Sequence, residues 1–301
     1  MALLFSCAAL ALFLLIPSLL SYITPPTTES PASITIATST APDAFLRVET
    51  EAKSAIVYDL ATRETLYEKN ADTQLPLASL TKLLTVYAAL AKLSPATPVT
   101  ISERATRTEA PRVFTAGQTL SLSDLARLTL TASLNDGAVA IAEAAAEQAR
   151  LSQSDLLAGA AASLDLSQTY AINGSGLDVN TAISGGYGSA RDLARLAGAL
   201  VYKFPEIAAA TTESSTHATS AEGAPFVAKN TDPMVGTFPR LLLSKTGYTD
   251  LAGGNLALVL DVGIAHPVAV VVLGSSKNAR FTDGGALVAA TLAHFANIAS
   301  L

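Results

Sequence analysis

LPLASLTKLLTVY, residues 75–87, puts a serine and a lysine three positions apart at the front of an apolar run. Residues i and i+3 are neighbours on a helix. The stretch therefore predicts a helix from about Ser79 to Lys92, with the Ser79 hydroxyl and the Lys82 amine in contact. The lysine falls where the apolar pattern asks for core. Either its charge snorkels to water, or the amine stays beside Leu80, Leu83 and Leu84 and sheds its proton. In the second case it is a base. A serine hydroxyl is a poor nucleophile until its proton is removed, and burial beside a cation can bring a lysine pKa down to about 7–8. The positive end of the helix acts in the same direction.

Upstream, SAIVYDLATRETLYEKNAD, residues 54–72, reads as two short strands around a polar turn. Downstream, residues 117–148 read as two helices, with Ser121 or Ser123 as the N-cap of the first. Further helix signals cover 151–164 and 189–202. The final third changes character. RLLLSKTGYT (240–249), GGNLALVLDVG (253–263) and HPVAVVVLG (266–274) are β-rich runs between Gly, Asp and Pro turns, and 279–299 closes as a helix despite its glycine pair. Strands, helices, strands and a helix in that order predict an α+β fold. An antiparallel sheet would be built from both ends of the chain, flanked by helices, with a helical subdomain inserted.

Length, charge and cysteine use narrow the function. The chain has 301 residues, half of them apolar and 15% charged. Residues 2–23 carry no charge and are long enough to cross a bilayer, so they read as an N-terminal membrane anchor, a cleaved signal peptide being the alternative. Residues 24–44, rich in Thr, Ser and Pro, read as a tether, and 45–301 as one globular domain. Cys7, the only cysteine, lies in the apolar segment, which leaves the domain without a disulfide or a thiolate zinc site. A net charge of -6 and the lack of a Lys/Arg cluster argue against nucleic acid. His217, His266 and His294 are scattered and read as surface or edge positions. Neither HExxH nor G-x-S-x-G occurs, and no phosphate-binding glycine motif is complete. No metal and no cofactor are expected.

Two further stretches join the first. Ser133-Leu134-Asn135 sits where a loop should link two helices, and Lys245-Thr246-Gly247 ends an apolar strand. The glycine there would let a substrate backbone approach closely. Each triplet alone is common, but the ordered set S-x-x-K, S-x-N, K-T-G is not.

That set, with AIVYDLATRETLYEKNAD, NGSGLD, SARDLARLA and KTGYTDLAGGNLALV, resembles the penicillin-recognising serine enzymes. Within them it is closest to the low-molecular-mass penicillin-binding proteins, the D-alanyl-D-alanine carboxypeptidases. The resemblance covers about residues 50–298 and implies a β-lactamase/DD-peptidase-like fold. It implies that Ser79 is acylated, Lys82 is the general base, and Ser133 relays a proton to the leaving amine. Asn135 would hold Lys82 and the substrate amide, and Lys245 would bias the electrostatics. Thr246 and Arg280 would bind the terminal carboxylate. Gly247 would line the substrate strand, and the backbone N–H groups of Ser79 and Tyr248 would form the oxyanion hole. The implied partners are peptidoglycan peptides ending in D-Ala-D-Ala, with β-lactams as covalent inhibitors. The implied place is the cell membrane, with the domain outside the cytoplasm. Leu134 departs from the pattern, where small or polar residues are usual. The alternatives are a DD-endopeptidase on cross-links, a serine β-lactamase, for which no E-x-x-L-N-type segment is found, and a catalytically silent cell-wall binding module.

Overall fold

The computed structural model describes residues 43–299, all within one compact unit. The anchor expected at 2–23 and nearly all of the expected tether lie outside the described residues. Among those described, no helix is long and apolar enough to cross a membrane.

One antiparallel sheet draws on both ends of the chain. Its strands are β1 (Ser54–Asp59), β2 (Thr65–Lys69), β3 (Leu241–Thr249), β4 (Gly253–Asp261) and β5 (Pro267–Ser275). The spatial order is β3-β4-β5-β1-β2, with Ser54 opposite Leu273 and Asp59 opposite Val268 across the central pair. Antiparallel strands usually bury one face and wet the other. Here β1 is buried throughout, and alternate residues serve two separate cores. Ile56, Val259, Val271 and Leu273 join a cluster with the inserted helices. Val57, Leu258, Val270 and Val272 pack with Leu287 and Val288 of the C-terminal helix. This two-sided cover explains the nearly unbroken Val and Leu runs of β4 and β5.

The inserted block contains α1 (Thr81–Leu90), α2 (Leu122–Ala132), α3 (Asn135–Ala149), α4 (Gln153–Ser163) and α5 (Ala190–Lys203). Three of these helices open on the same device. Ser121, Ser152 and Ser189 each accept from the backbone N–H of an aspartate three residues on, at 3.1 Å. Ser121, rather than Ser123, is therefore the cap. The chain ends in α6 (Ala279–Ala299). Its glycine pair fits for a packing reason, since a Cβ on Gly284 would lie 2.6 Å from Leu256 Cδ2 of β4.

Three features differ from the sequence reading. The first helix begins at Thr81, after a 3-10 turn over Ala78–Leu80, and it stops at Leu90, ahead of Ser94-Pro95, where a residue before proline resists the helical region. A hairpin of Ser215–Thr219 and Pro225–Lys229 was not anticipated. His266, expected as a bland edge residue, sits 2.7 Å from Asp59 Oδ2 and ties the turn before β5 to the end of β1.

Asp283 of α6 fastens the start of the domain. Its carboxylate accepts from Glu51 N at 3.1 Å, Ala52 N at 3.0 Å and Ser275 Oγ at 2.7 Å. Asp283→Ala orphans three donors and should cost about 2–4 kcal/mol. A melting temperature lower by roughly 5–10 °C is expected. An unchanged melt would show that this contact does not hold the terminal segment.

Candidate active site

The 3-10 turn sets the first contact. In such a turn residues i and i+3 eclipse, and Lys82 Nζ lies 2.8 Å from Ser79 Oγ. Ala78, just before the serine, is held at φ 49°, a region that L-residues other than Asn and Asp seldom enter. Two glycines press on the turn. A Cβ on Gly176, itself at φ +76°, would lie 1.9 Å from Ala78 O. A Cβ on Gly247 would meet Leu77 O at 3.0 Å and Leu80 N at 3.3 Å. The bare face of Gly247 thus packs against the turn that carries Ser79.

Lys82 is fully buried, whereas Ser79 is only half-buried. Besides Ser79, its amine touches Asn135 Oδ1 at 2.7 Å and Ser175 O at 2.8 Å. Both are acceptors with no proton to give. A neutral amine has two N–H bonds and one lone pair, so the two carbonyls take the hydrogens and the lone pair is left for the Ser79 hydroxyl. Burial drives the Lys82 pKa well below its ordinary value, the charge of Lys245 lowers it further, and Asp136 opposes.

Lys245 comes from β3 and is also fully buried. Its amine donates to Ser133 Oγ at 2.9 Å and Thr246 O at 2.7 Å. Burial, then the Arg280 charge, brings its pKa to about 7. Ser133 caps α2 in the left-handed conformation, φ 58°, and this bend turns its hydroxyl toward β3. Asn135 opens α3. Both Nδ2 hydrogens are engaged, by Glu109 O and Ala110 O at 3.0 Å each. Asn135 thereby links Lys82 to the loop before Pro111.

The remaining residues lie along β3. Thr246 Oγ1 is 2.6 Å from Thr231 Oγ1, and Tyr248 is partly exposed beneath the Lys277 amine. Arg280 reaches in from α6, is 8% exposed, and donates through Nη1 to Gly247 O. Its Nε is buried without a hydrogen-bond partner.

Three contributors escaped the sequence reading. Ser175 acts through its carbonyl, and the loop is shaped by Asn173 Oδ1, which accepts from Gly176 N at 2.8 Å. Asp136 is buried, and Oδ2 accepts from Val113 N at 2.7 Å and Phe114 N at 2.8 Å, which fixes that loop beside Asn135. Asp232 accepts from Ser244 Oγ at 2.6 Å, next to Lys245. The Asn-Gly-Ser-Gly run was the one available signal for the first.

Comparison with known proteins agrees with this geometry. The sequence model of the D-alanyl-D-alanine carboxypeptidase family matches residues 36–277. The chain is 28% identical over 238 residues to D-alanyl-D-alanine carboxypeptidase DacF of Bacillus subtilis, covering 76% of this chain and 59% of that protein. It is 29% identical over 249 residues to a D-alanyl-D-alanine endopeptidase of Pseudomonas aeruginosa, covering 79% and 76%. Among solved structures, ampicillin-bound penicillin-binding protein D2 of Listeria monocytogenes superposes with a TM-score of 0.69 at 28% identity, covering 81% of this chain and 98% of that one. A buried lysine against a half-buried serine and a family match over most of the chain lead to one assignment: the protein belongs to the D-alanyl-D-alanine carboxypeptidase family.

Proposed function

We propose that this protein is a serine-type D-Ala-D-Ala carboxypeptidase that removes the terminal D-alanine of peptidoglycan stem peptides through an acyl-enzyme at Ser79. The observation that carries the reading is the Lys82 amine, buried, flanked by two carbonyls, and 2.8 Å from Ser79 Oγ. Ser79 Oγ attacks the carbonyl carbon of the penultimate residue while Lys82 takes its proton. The backbone N–H groups of Ser79 and Tyr248 receive the developing oxyanion. When the C–N bond breaks, the proton held by Lys82 passes through Ser133, whose hydroxyl rests on Lys245, to the departing amine, and Lys82 is neutral again. Thr246 and Arg280 hold the carboxylate of the departing residue. Water then attacks the ester, with Lys82 again as base, and frees Ser79.

The names of the relatives support this reading, and the ampicillin complex of the Listeria protein supports β-lactams as covalent inhibitors here too. Such a substrate lies outside the cytoplasm. The segment 2–23 with the tether 24–44 would hold the catalytic domain, 45–301, at the outer face of the cell membrane, or release it if the segment is cleaved.

Benzylpenicillin should add once to the protein. Intact-mass analysis is expected to show one penicilloyl adduct on the wild type and none on Ser79→Ala. An unmodified wild type would overturn the mechanism and favour a silent binding module.

The role of Lys82 has its own signature. A base must be neutral to work, so acylation should fall on the acid side as Lys82 gains a proton. The plateau should persist far below the ordinary lysine range, because the folded-state pKa is lowered. Lys82→Arg should lose about 10²–10⁴ in acylation rate, because a guanidinium keeps its proton. A Lys82→Arg rate within about threefold of wild type, on protein that melts normally, would refute the assignment.

A further inference from the structure

A hollow of about 370 Å³ lies between the turn that joins β1 to β2 and the last two turns of α5. It shares no residue with the site around Ser79. Lys245, Ala257, Val271 and Ile56 stand in register across the sheet. Strand spacing therefore places Tyr58, which lines the hollow, about 14 Å across the sheet and about 7 Å along it from Lys245. A Cβ on Gly198 would lie 2.4 Å from Leu60 Cδ2, so this glycine lets α5 approach the turn. Ala199 beside it carries only a methyl group.

The lining has two characters. Leu60, Leu164 and the buried Tyr58 make it apolar below, and Arg63, Arg195 and Asp165 are charged and exposed. Arg63 is held at φ 64°, where glycine or asparagine is the less strained choice in a hairpin turn. Its backbone N–H donates to Asp59 O at 2.8 Å, and among the described residues its guanidinium makes no ion pair. Strained backbone under a charge that the protein leaves unpaired points to a partner from outside. Arg195 donates to Asp165 O at 3.3 Å and also makes no ion pair among the described residues. Asp72 and Asp192 feel its charge, but Asp72 is held by Arg191 and Asp192 accepts from Gln168 N.

Two guanidiniums suit a carboxylate or a phosphate, which they can grip with paired N–H groups. The third charge chooses between them. Two arginines and one aspartate sum to +1, which matches a single carboxylate and not a phosphate dianion, and a chain of net charge -6 repels a polyanion. The apolar lining asks for an apolar residue next to that carboxylate.

We infer that this hollow is a second binding site, taking the carboxylate end of a short peptide that finishes in an apolar residue, and that it holds one stem peptide of the polymer while Ser79 works on another. The inference rests on the function proposed above. Two sites engaged on one polymer raise the effective concentration at the second, so the hollow serves the polymer and leaves isolated peptides unaffected.

The test uses protein whose cleft is blocked by benzylpenicillin. It is titrated with a stem pentapeptide ending in D-Ala-D-Ala and followed by nuclear magnetic resonance of arginine side-chain N–H groups. The Arg63 and Arg195 signals are assigned by their loss in Arg63→Gln and Arg195→Gln. Both should shift and saturate, and the same peptide with a C-terminal carboxamide should bind at least tenfold more weakly. Unmoved signals, equal binding of the carboxamide, or inorganic phosphate bound as tightly as the peptide would each overturn the inference. In turnover, Arg63→Gln with Arg195→Gln should cut D-alanine release from uncross-linked glycan strands at least fivefold at limiting substrate. Release from the free pentapeptide should stay within twofold. Rates that both hold, or both fall together, overturn the second site and spare the carboxypeptidase reading. A wild type that forms no penicilloyl adduct and releases no D-alanine overturns that reading, and the titration on unblocked protein then decides the hollow by itself.

Discussion

Two lysine amines buried without a carboxylate in contact set the terms for the rest of the molecule. Lys82 and Lys245 are both sealed from water, and among the described residues neither makes an ion pair. An unpaired charge in such a place costs several kcal/mol even after relaxation. Lys82 escapes that cost by giving up its proton, whereas Lys245, brought to about 7, keeps part of the charge that holds the Lys82 pKa down. Carbonyl oxygens from Asn135 and Ser175 then fix the Lys82 hydrogens, and the lone pair falls to the serine. A carboxylate in place of either carbonyl would hold the proton on the lysine and silence the base.

The architecture follows from bringing those amines together. Lys82 belongs to a helix in the first third of the chain, Ser133 and Asn135 to a break between helices, and Lys245 to a strand in the last third. A sheet made from both chain ends, with the helices inserted between β2 and β3, lets these segments meet. The joints are tight. Ala78 and Ser133 adopt left-handed backbone, and Gly176 and Gly247 let loop and strand close on the Ser79 turn. Strain of this kind persists only where surrounding structure over-determines it.

Much of this could be read from residue patterns, and the remainder fails for identifiable reasons. The β-rich runs at 240–249, 253–263 and 266–274 gave the sheet, and Ser121, one of two serines read as a cap, marked the start of a helix. The S-x-x-K, S-x-N and K-T-G motifs gave Lys82 and Lys245 and the three residues, Ser79, Ser133 and Asn135, that the structure sets against their amines. The Ser175 carbonyl was illegible because a backbone acceptor has no residue signature. The second link of Asn135, to the loop before Pro111, was illegible because only the positions of Glu109 and Ala110 in the fold show where its amide hydrogens go. The hairpin at 215–229 was missed because Ser-Thr-His-Ala-Thr lacks a clean apolar alternation.

The central claim is that Lys82 is neutral where the enzyme works. Nuclear magnetic resonance of lysine side chains labelled at Cε, with the Lys82 signal assigned by its loss in Lys82→Arg, measures this directly on the unliganded protein. The account predicts a titration midpoint well below the ordinary lysine value of about 10.4, in keeping with the burial of the amine. A midpoint at or above that value would mean that Lys82 keeps its proton, and would contradict the account.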